Sequence, residues 1–267
     1  MLDALSLLAC LACTEAAVTA PAPDSLAVDV QLVLAVDISL SMDEKEFALQ
    51  RAGYVEALRH PDFIKAVRAG NAGRIALTYF EWAGTARDDA LIGWQAIDGA
   101  ESANAFADKI AARPFRSFRG TSISGALAFG AGLFDRTAYE SERSVIDISG
   151  DGPNNIGPPV TATRDAANAR GIVINGLPIL INPSPTFSHL DRYYAQCVTG
   201  GPGSFVLPIY TAAEFSTAIR RKLILEVSGV QNETRIIPAE AEAPIDCLQG
   251  ERDRRLLSDP YFPELDR

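Results

Sequence analysis

The stretch Val28–Val36 constrains this chain most, because it is apolar, β-branched and nearly continuous instead of alternating. A strand with one wet face alternates apolar and polar residues, whereas an unbroken run is what a strand needs when layers cover both of its faces. The run therefore predicts a central parallel strand. After it, Phe47, Tyr54 and Leu58 recur at helical spacing beside Ala48 and Val55, and Pro61 is expected to end that helix. Further strands are predicted over Ile75–Trp82, Ala90–Ile97 (an edge strand), Ser144–Ser149, Ile172–Leu180 and Ser204–Leu207. Between them, Ser102–Ala111 and Ala162–Ala169 predict helices, and Ser122–Phe134 predicts a well-buried one with the stripe Ile123, Leu127, Ala131 and Phe134. Ala212–Val227, carrying Phe215, Ile219 and Leu223, predicts the last. Strands alternating with helices through right-handed crossovers define an α/β fold: a doubly wound, mostly parallel central sheet flanked by helices in three layers.

With 267 residues, 48% of them hydrophobic, the chain can bury one large core. The expected division is a leader at 1–23, one domain at 24–228 and a charged tail at 229–267 punctuated by Pro238, Pro244, Pro260 and Pro263. Leu5–Ala12 followed by small residues reads as an export signal, although Asp3 stands where positive charge is usual. A disordered extension is the alternative, and Leu7, Leu8, Ala9 and Cys10 also resemble a lipid-attachment box. The reading is thus an exported protein, periplasmic or extracellular, with no transmembrane helix in the mature chain. A net charge of −10 argues against nucleic-acid partners. Cys10 and Cys13 fall in the leader. Cys197 and Cys247 remain, and pairing them would close a loop of about 50 residues worth roughly 4 kcal/mol in the chain-entropy model. Two buried thiols are the alternative.

Ligands of open parallel sheets bind beyond the carboxyl ends of the strands, so residues directly after strands carry the most information. The first strand runs into Asp37, Ile38, Ser39, Leu40 and Ser41, a carboxylate and two hydroxyls at alternate positions. Taken alone, Ser41 with Glu44 also fits a helix capping box. Gly120, Thr121 and Ser122 open the buried helix, where a lone threonine would read as an N-cap. Asp151 follows the third parallel strand within Ser149, Gly150, Asp151 and Gly152, and the glycines read as a tight turn. Together these segments converge on one sheet edge and offer only carboxylate and hydroxyl oxygens, the donor set of Mg²⁺, with Mn²⁺ or Ca²⁺ also compatible. His60 and His189, the only histidines, share no motif and give no support to a zinc-type cluster.

In this order and spacing, DISLS, GTS and SGDG resemble the metal-ion-dependent adhesion site (MIDAS) of von Willebrand factor A (vWA) domains, over roughly Val28 to Ser228. Position by position, Asp37, Ser39, Ser41, Thr121 and Asp151 match the five residues of that motif. The segments CVTGGPGSFV and AIRRKLILEV are similar to a bacterial group of exported A-domain proteins of unassigned function. The resemblance implies a cation-dependent protein-binding module, used in adhesion or assembly, whose bound metal engages an acidic side chain of a partner. Arg113, Arg116 and Arg119 precede Thr121, and Arg116 and Arg119 are candidates for a cationic ligand rim; a solvated loop is the alternative. The competing function is a metal-assisted hydrolase of phosphate esters, which needs a base or nucleophile such as Asp43 or Glu44. A dinucleotide site is disfavoured, because the first turn lacks a glycine-rich fingerprint and carries an aspartate. A serine hydrolase elbow is incomplete around Ser122 and Ser124.

Overall fold

Each long apolar run becomes a strand covered on both sides. The computed structural model describes residues 25–42, 44–182, 187–229 and 244–257. Its main sheet comprises β2 (Gln31–Asp37), β3 (Ile75–Trp82), β4 (Ala86–Ile97), β6 (Ser144–Gly150) and β7 (Ile172–Pro178), in the order β4-β3-β2-β6-β7. Only β4 runs antiparallel, paired to β3 at the edge. A two-residue ladder joins β1 (Leu26–Ala27) to β5 (Tyr139–Glu140). The expected strand Val28–Val36 thus begins only at Gln31, after a bend at Asp29 whose carboxylate accepts from the Ala72 and Arg74 N–H groups.

Successive residues of β2 explain the unbroken apolar run. Leu32, Leu34 and Val36 face a core shared with α1 (Glu44–Arg59), α2 (Pro61–Arg68), α3 (Ala100–Ala111) and α7 (Phe215–Ser228). Val33 and Ala35 face the opposite core, under α4 (Ile123–Leu133), α5 (Val160–Asn168) and α6 (Leu190–Tyr193). Each fully buried Leu or Val contributes roughly 1.5–3 kcal/mol relative to exposure, so a polar residue anywhere in this strand would be costly on either side. The result is the doubly wound α/β sandwich expected.

Two expectations need correction. Pro61 does not only end a helix: it is the first residue of α2, where a missing N–H costs nothing, and His60 caps that helix by accepting from the Asp62 N–H. Ser204–Leu207 forms no strand of its own. The segment meets β7 through isolated bridges, Gly176 with Val206 and, just beyond, Ile179 with Ile209; the ladder bond between them would need an N–H from Pro178 to the Leu207 carbonyl, and proline has none to donate.

In the tail, α8 (Gln249–Leu257) packs on the domain, and the Cys197 and Cys247 sulfurs lie at bonding distance with their Cα atoms 5.5 Å apart. The proposed leader, with Cys10 and Cys13, lies outside the described residues. No described helix is long and apolar enough to cross a membrane.

Candidate metal centre

Parallel strands deliver their following loops to one edge, and three such loops meet here. Asp37 is the last residue of β2, Asp151 directly follows β6, and Thr121 precedes α4 on a loop tied to the end of β3 by the Ser122 N–H bond to the Ala83 carbonyl (2.8 Å). The Asp37 Oδ1 accepts from the Ser39 N–H at 2.7 Å, which folds the chain back so that Ser39 and Ser41 face the same point. Their hydroxyls are 2.8 Å apart, and Ser41 donates to Asp151 Oδ1 at 2.7 Å, a contact that bridges 110 residues of sequence. Ser41 is therefore engaged at the site. Thr121 is released from capping, because Ser122 caps α4 by accepting from the Gly125 N–H. All five sequence candidates belong to this edge.

Burial sets the electrostatics. Asp37 is fully buried, its Oδ2 has no hydrogen-bond partner, and its pKa is raised by desolvation and then by the charge of Asp151, against the lowering effect of Ser39. Asp151 is pushed up to about 6 by burial, with Ser41 holding it down and Glu46 adding repulsion. Two carboxylates that repel each other, one with an orphaned buried oxygen, form a site short of positive charge. A hard divalent cation held by Asp37, Ser39, Ser41, Thr121 and Asp151 would supply it, and oxygen donors of this kind suit such an ion. Among the described residues there is no cluster of three or more His, Cys, Asp or Glu, so a soft-metal site has no candidate.

The glycines act differently from the turn reading. Gly150 belongs to β6, and its φ is not in the left-handed region; a Cβ there would lie 2.8 Å from both Asp37 Oδ2 and the Tyr194 hydroxyl. It is glycine to leave room for the carboxylate. Gly120 does need its freedom, with φ at 83°.

The arginines divide. Arg113 is committed to the buried Glu81, which also pairs with Arg51, so these residues brace the fold. Arg116 reaches Asp89 at 3.3 Å on the surface, while Arg119 is exposed beside Gly120. Leu40, Phe115 and Phe118 are also exposed, and Leu40 and Phe118 are joined by a backbone hydrogen bond of 3.0 Å. Of the two hydrolase candidates, Glu44 lies exposed in the first turn of α1 and Asp43 is outside the described residues.

Sequence reasoning missed several supports. Gln50 donates to the Asp37 carbonyl at 2.9 Å, Asn155 accepts from the Thr121 N–H at 2.9 Å, and Asn154 accepts from the Ser124 N–H at 2.9 Å. It also missed a buried cluster beneath the site, where Lys222 meets Glu226 at 2.9 Å and Asp147 at 3.2 Å while Asn175 donates to Glu226 at 2.7 Å. The adjacent pair Asn154-Asn155 right after the Asp151 turn was the only local hint.

Three solved structures share the fold at low identity. Proximal thread matrix protein 1 of the mussel byssus, in a form with a zinc-occupied MIDAS motif, has TM-score 0.52 and 14% identity over 76% of this chain and 49% of its own. A von Willebrand factor type A protein from Catenulispora acidiphila has TM-score 0.50 and 15% identity over 75% and 43%. The vWF domain of the type V pili tip protein Mfa5 from Porphyromonas gingivalis has TM-score 0.53 and 11% identity over 73% and 94%. The chain spans about half the length of the mussel protein. A search of curated proteins finds no match. Residues 27–231 match the family described as protein of unknown function DUF1194, and the chain, whose fold is vWA-like, belongs to that family.

Proposed function

We propose that this protein is a cation-dependent binding module that holds a divalent metal, Mg²⁺ in its working form, through Asp37, Ser39, Ser41, Thr121 and Asp151. The observation that carries the reading is the Asp37 carboxylate, fully buried, facing a second carboxylate and with one oxygen lacking any hydrogen-bond partner. Such an arrangement is unfavourable by itself and becomes favourable when a cation neutralises it. Three of the five donors are neutral, so a bound divalent ion keeps affinity for an additional anionic ligand. An acidic side chain of a protein partner is the ligand this site suits, with exposed Arg119 and Arg116 favouring its approach and Leu40, Phe115 and Phe118 offering apolar contact around it.

Neighbours of the same fold include a pilus adhesin, a pilus tip protein and a byssus matrix protein, which supports assembly or adhesion outside the cytoplasm. We assign the protein to the periplasm or the extracellular space, with the 24–228 unit as the binding domain and Cys197–Cys247 as a disulfide. Of the hydrolase alternative's two candidate bases, Glu44 lies exposed in the first turn of α1 and lends it no support.

Titration with Mn²⁺ followed by electron paramagnetic resonance tests the reading. One ion should bind per chain, Mg²⁺ should displace it, and Asp37→Ala should abolish binding. Stoichiometric binding that survives in Asp37→Ala would sink the assignment.

A further inference from the structure

The described part of the C-terminal arm, residues 244–257, lies beyond the segment that matches the family, yet it is built into the candidate metal centre. The Ile245 N–H donates to Gln196 Oε1 at 2.9 Å, and Cys247, two residues on, meets Cys197, which is fully buried. From this fastening point α8 crosses the loop that follows Asp151. Gly250 sits against Pro153 and Asn154 so closely that a Cβ would come 3.0 Å from the Pro153 ring and overlap the Asn154 carbonyl. Glu251 accepts from Asn154 Nδ2 at 2.8 Å, and Arg254 reaches Asn155 Oδ1 at 3.4 Å.

Those two asparagines are the residues that tie the loop to the other half of the site. Asn154 is fully buried, and its Oδ1 accepts from the Ser124 N–H in the first turn of α4. Asn155 grips Thr121 from both sides, its Oδ1 accepting from the Thr121 N–H at 2.9 Å and its own N–H donating to the Thr121 carbonyl at 2.8 Å. Contacts thus run from the arm, through the two amides, to one candidate ligand directly, and to another, Asp151, three residues upstream of Asn154. A carboxylate acceptor fixes the orientation of the Asn154 amide, leaving its oxygen toward α4, and an amide so fixed cannot relax when the loop moves.

We propose that the C-terminal arm is a positioning strap for the metal centre, with Glu251 as its contact residue and the Cys197–Cys247 pair as its fastener, so that full cation affinity requires the arm docked. This rests on the cation reading above. Groups that orient metal ligands from behind typically change affinity by about 10–100-fold when removed. Full-length wild type, Glu251→Ala and Glu251→Gln are titrated with Mn²⁺, with thermal melting of the metal-free proteins alongside. Glu251→Ala should weaken Mn²⁺ binding about tenfold, and Glu251→Gln, which keeps an oxygen acceptor for Asn154, should restore it to near wild type. Reduction of the folded wild type should weaken Mn²⁺ binding in the same direction, an independent check should Glu251→Ala melt early. Equal Mn²⁺ affinity in wild type, Glu251→Ala and reduced protein would overturn the strap while leaving the cation site intact. No Mn²⁺ binding by wild type would overturn both.

Discussion

At the scale of single residues, the most telling position is Gly150, because its missing side chain is the space occupied by Asp37 Oδ2 and the Tyr194 hydroxyl. Gly150→Ala would force one of them away at an overpacking cost of about 1–3 kcal/mol. Mn²⁺ affinity should fall at least about tenfold while circular dichroism stays that of a folded α/β protein; an unchanged dissociation constant would refute this role. Asp147 offers a second test. Burial pushes its carboxyl up to about 7, with Lys222 lowering it and Glu226 raising it, and Tyr54 facing it from α1. A carboxyl with a raised folded pKa binds its proton more tightly in the native state, so its contribution is present at low pH and is lost as pH rises from about 4 to about 7. Asp147→Asn mimics the protonated form. Its melting temperature should match wild type near pH 4 and exceed it at pH 8, and a constant gap across that range would contradict the assignment. The five ligand candidates were legible because each follows a strand or opens a helix, positions that read directly from the pattern. Gly150 was not, since a glycine that makes room for a carboxylate and one that allows a turn look identical in sequence. Lys222 and Asp147, 75 positions apart, gave no local sign of meeting.

Among the elements, strand and helix identity followed from periodicity, because apolar runs covered on both faces and stripes at helical spacing each have one stable environment. The misreadings arose where proline changes meaning with context. Pro61 is a stop for α1 and a start for α2, and Pro178, with no N–H, interrupts what would otherwise extend the sheet beyond β7. The helix pair α1 and α7 depends on close approach: a Cβ on Gly53 would fall 2.6 Å from the end of Ile219. Gly53→Leu should therefore push α7 outward, strain the Lys222 contacts with Asp147, and cost about 1–3 kcal/mol in urea unfolding. Trimming the partner in a Gly53→Leu/Ile219→Ala double variant should recover part of that loss by relieving the clash. Independent, additive losses in the two single variants would show that the helices do not meet as described.

For the whole molecule, the proposed metal binding and arm docking would stabilise the same native state, and their interdependence can be measured. A ligand at 100 times its dissociation constant adds about 2.7 kcal/mol, which for a domain of this size raises the melting temperature by about 5–10 °C. The proposed Cys197–Cys247 disulfide, across a sequence separation of 50, would contribute roughly 4 kcal/mol in the chain-entropy model, so reduction should lower the melting temperature in the absence of metal. If the arm were a passive tail, these two effects would simply add. If the arm orients the loop carrying Asp151, linkage requires that the cation strengthen arm docking by the same factor by which the arm strengthens cation binding. A tenfold coupling corresponds to about 1.4 kcal/mol, so at one fixed Mg²⁺ concentration the thermal shift in reduced protein should be smaller by about 3–6 °C than in oxidised protein. Four melting curves, oxidised and reduced, with and without Mg²⁺, complete this cycle. Equal shifts in the two redox forms would separate the arm from the metal centre, because two sites that share no free energy cannot respond to each other.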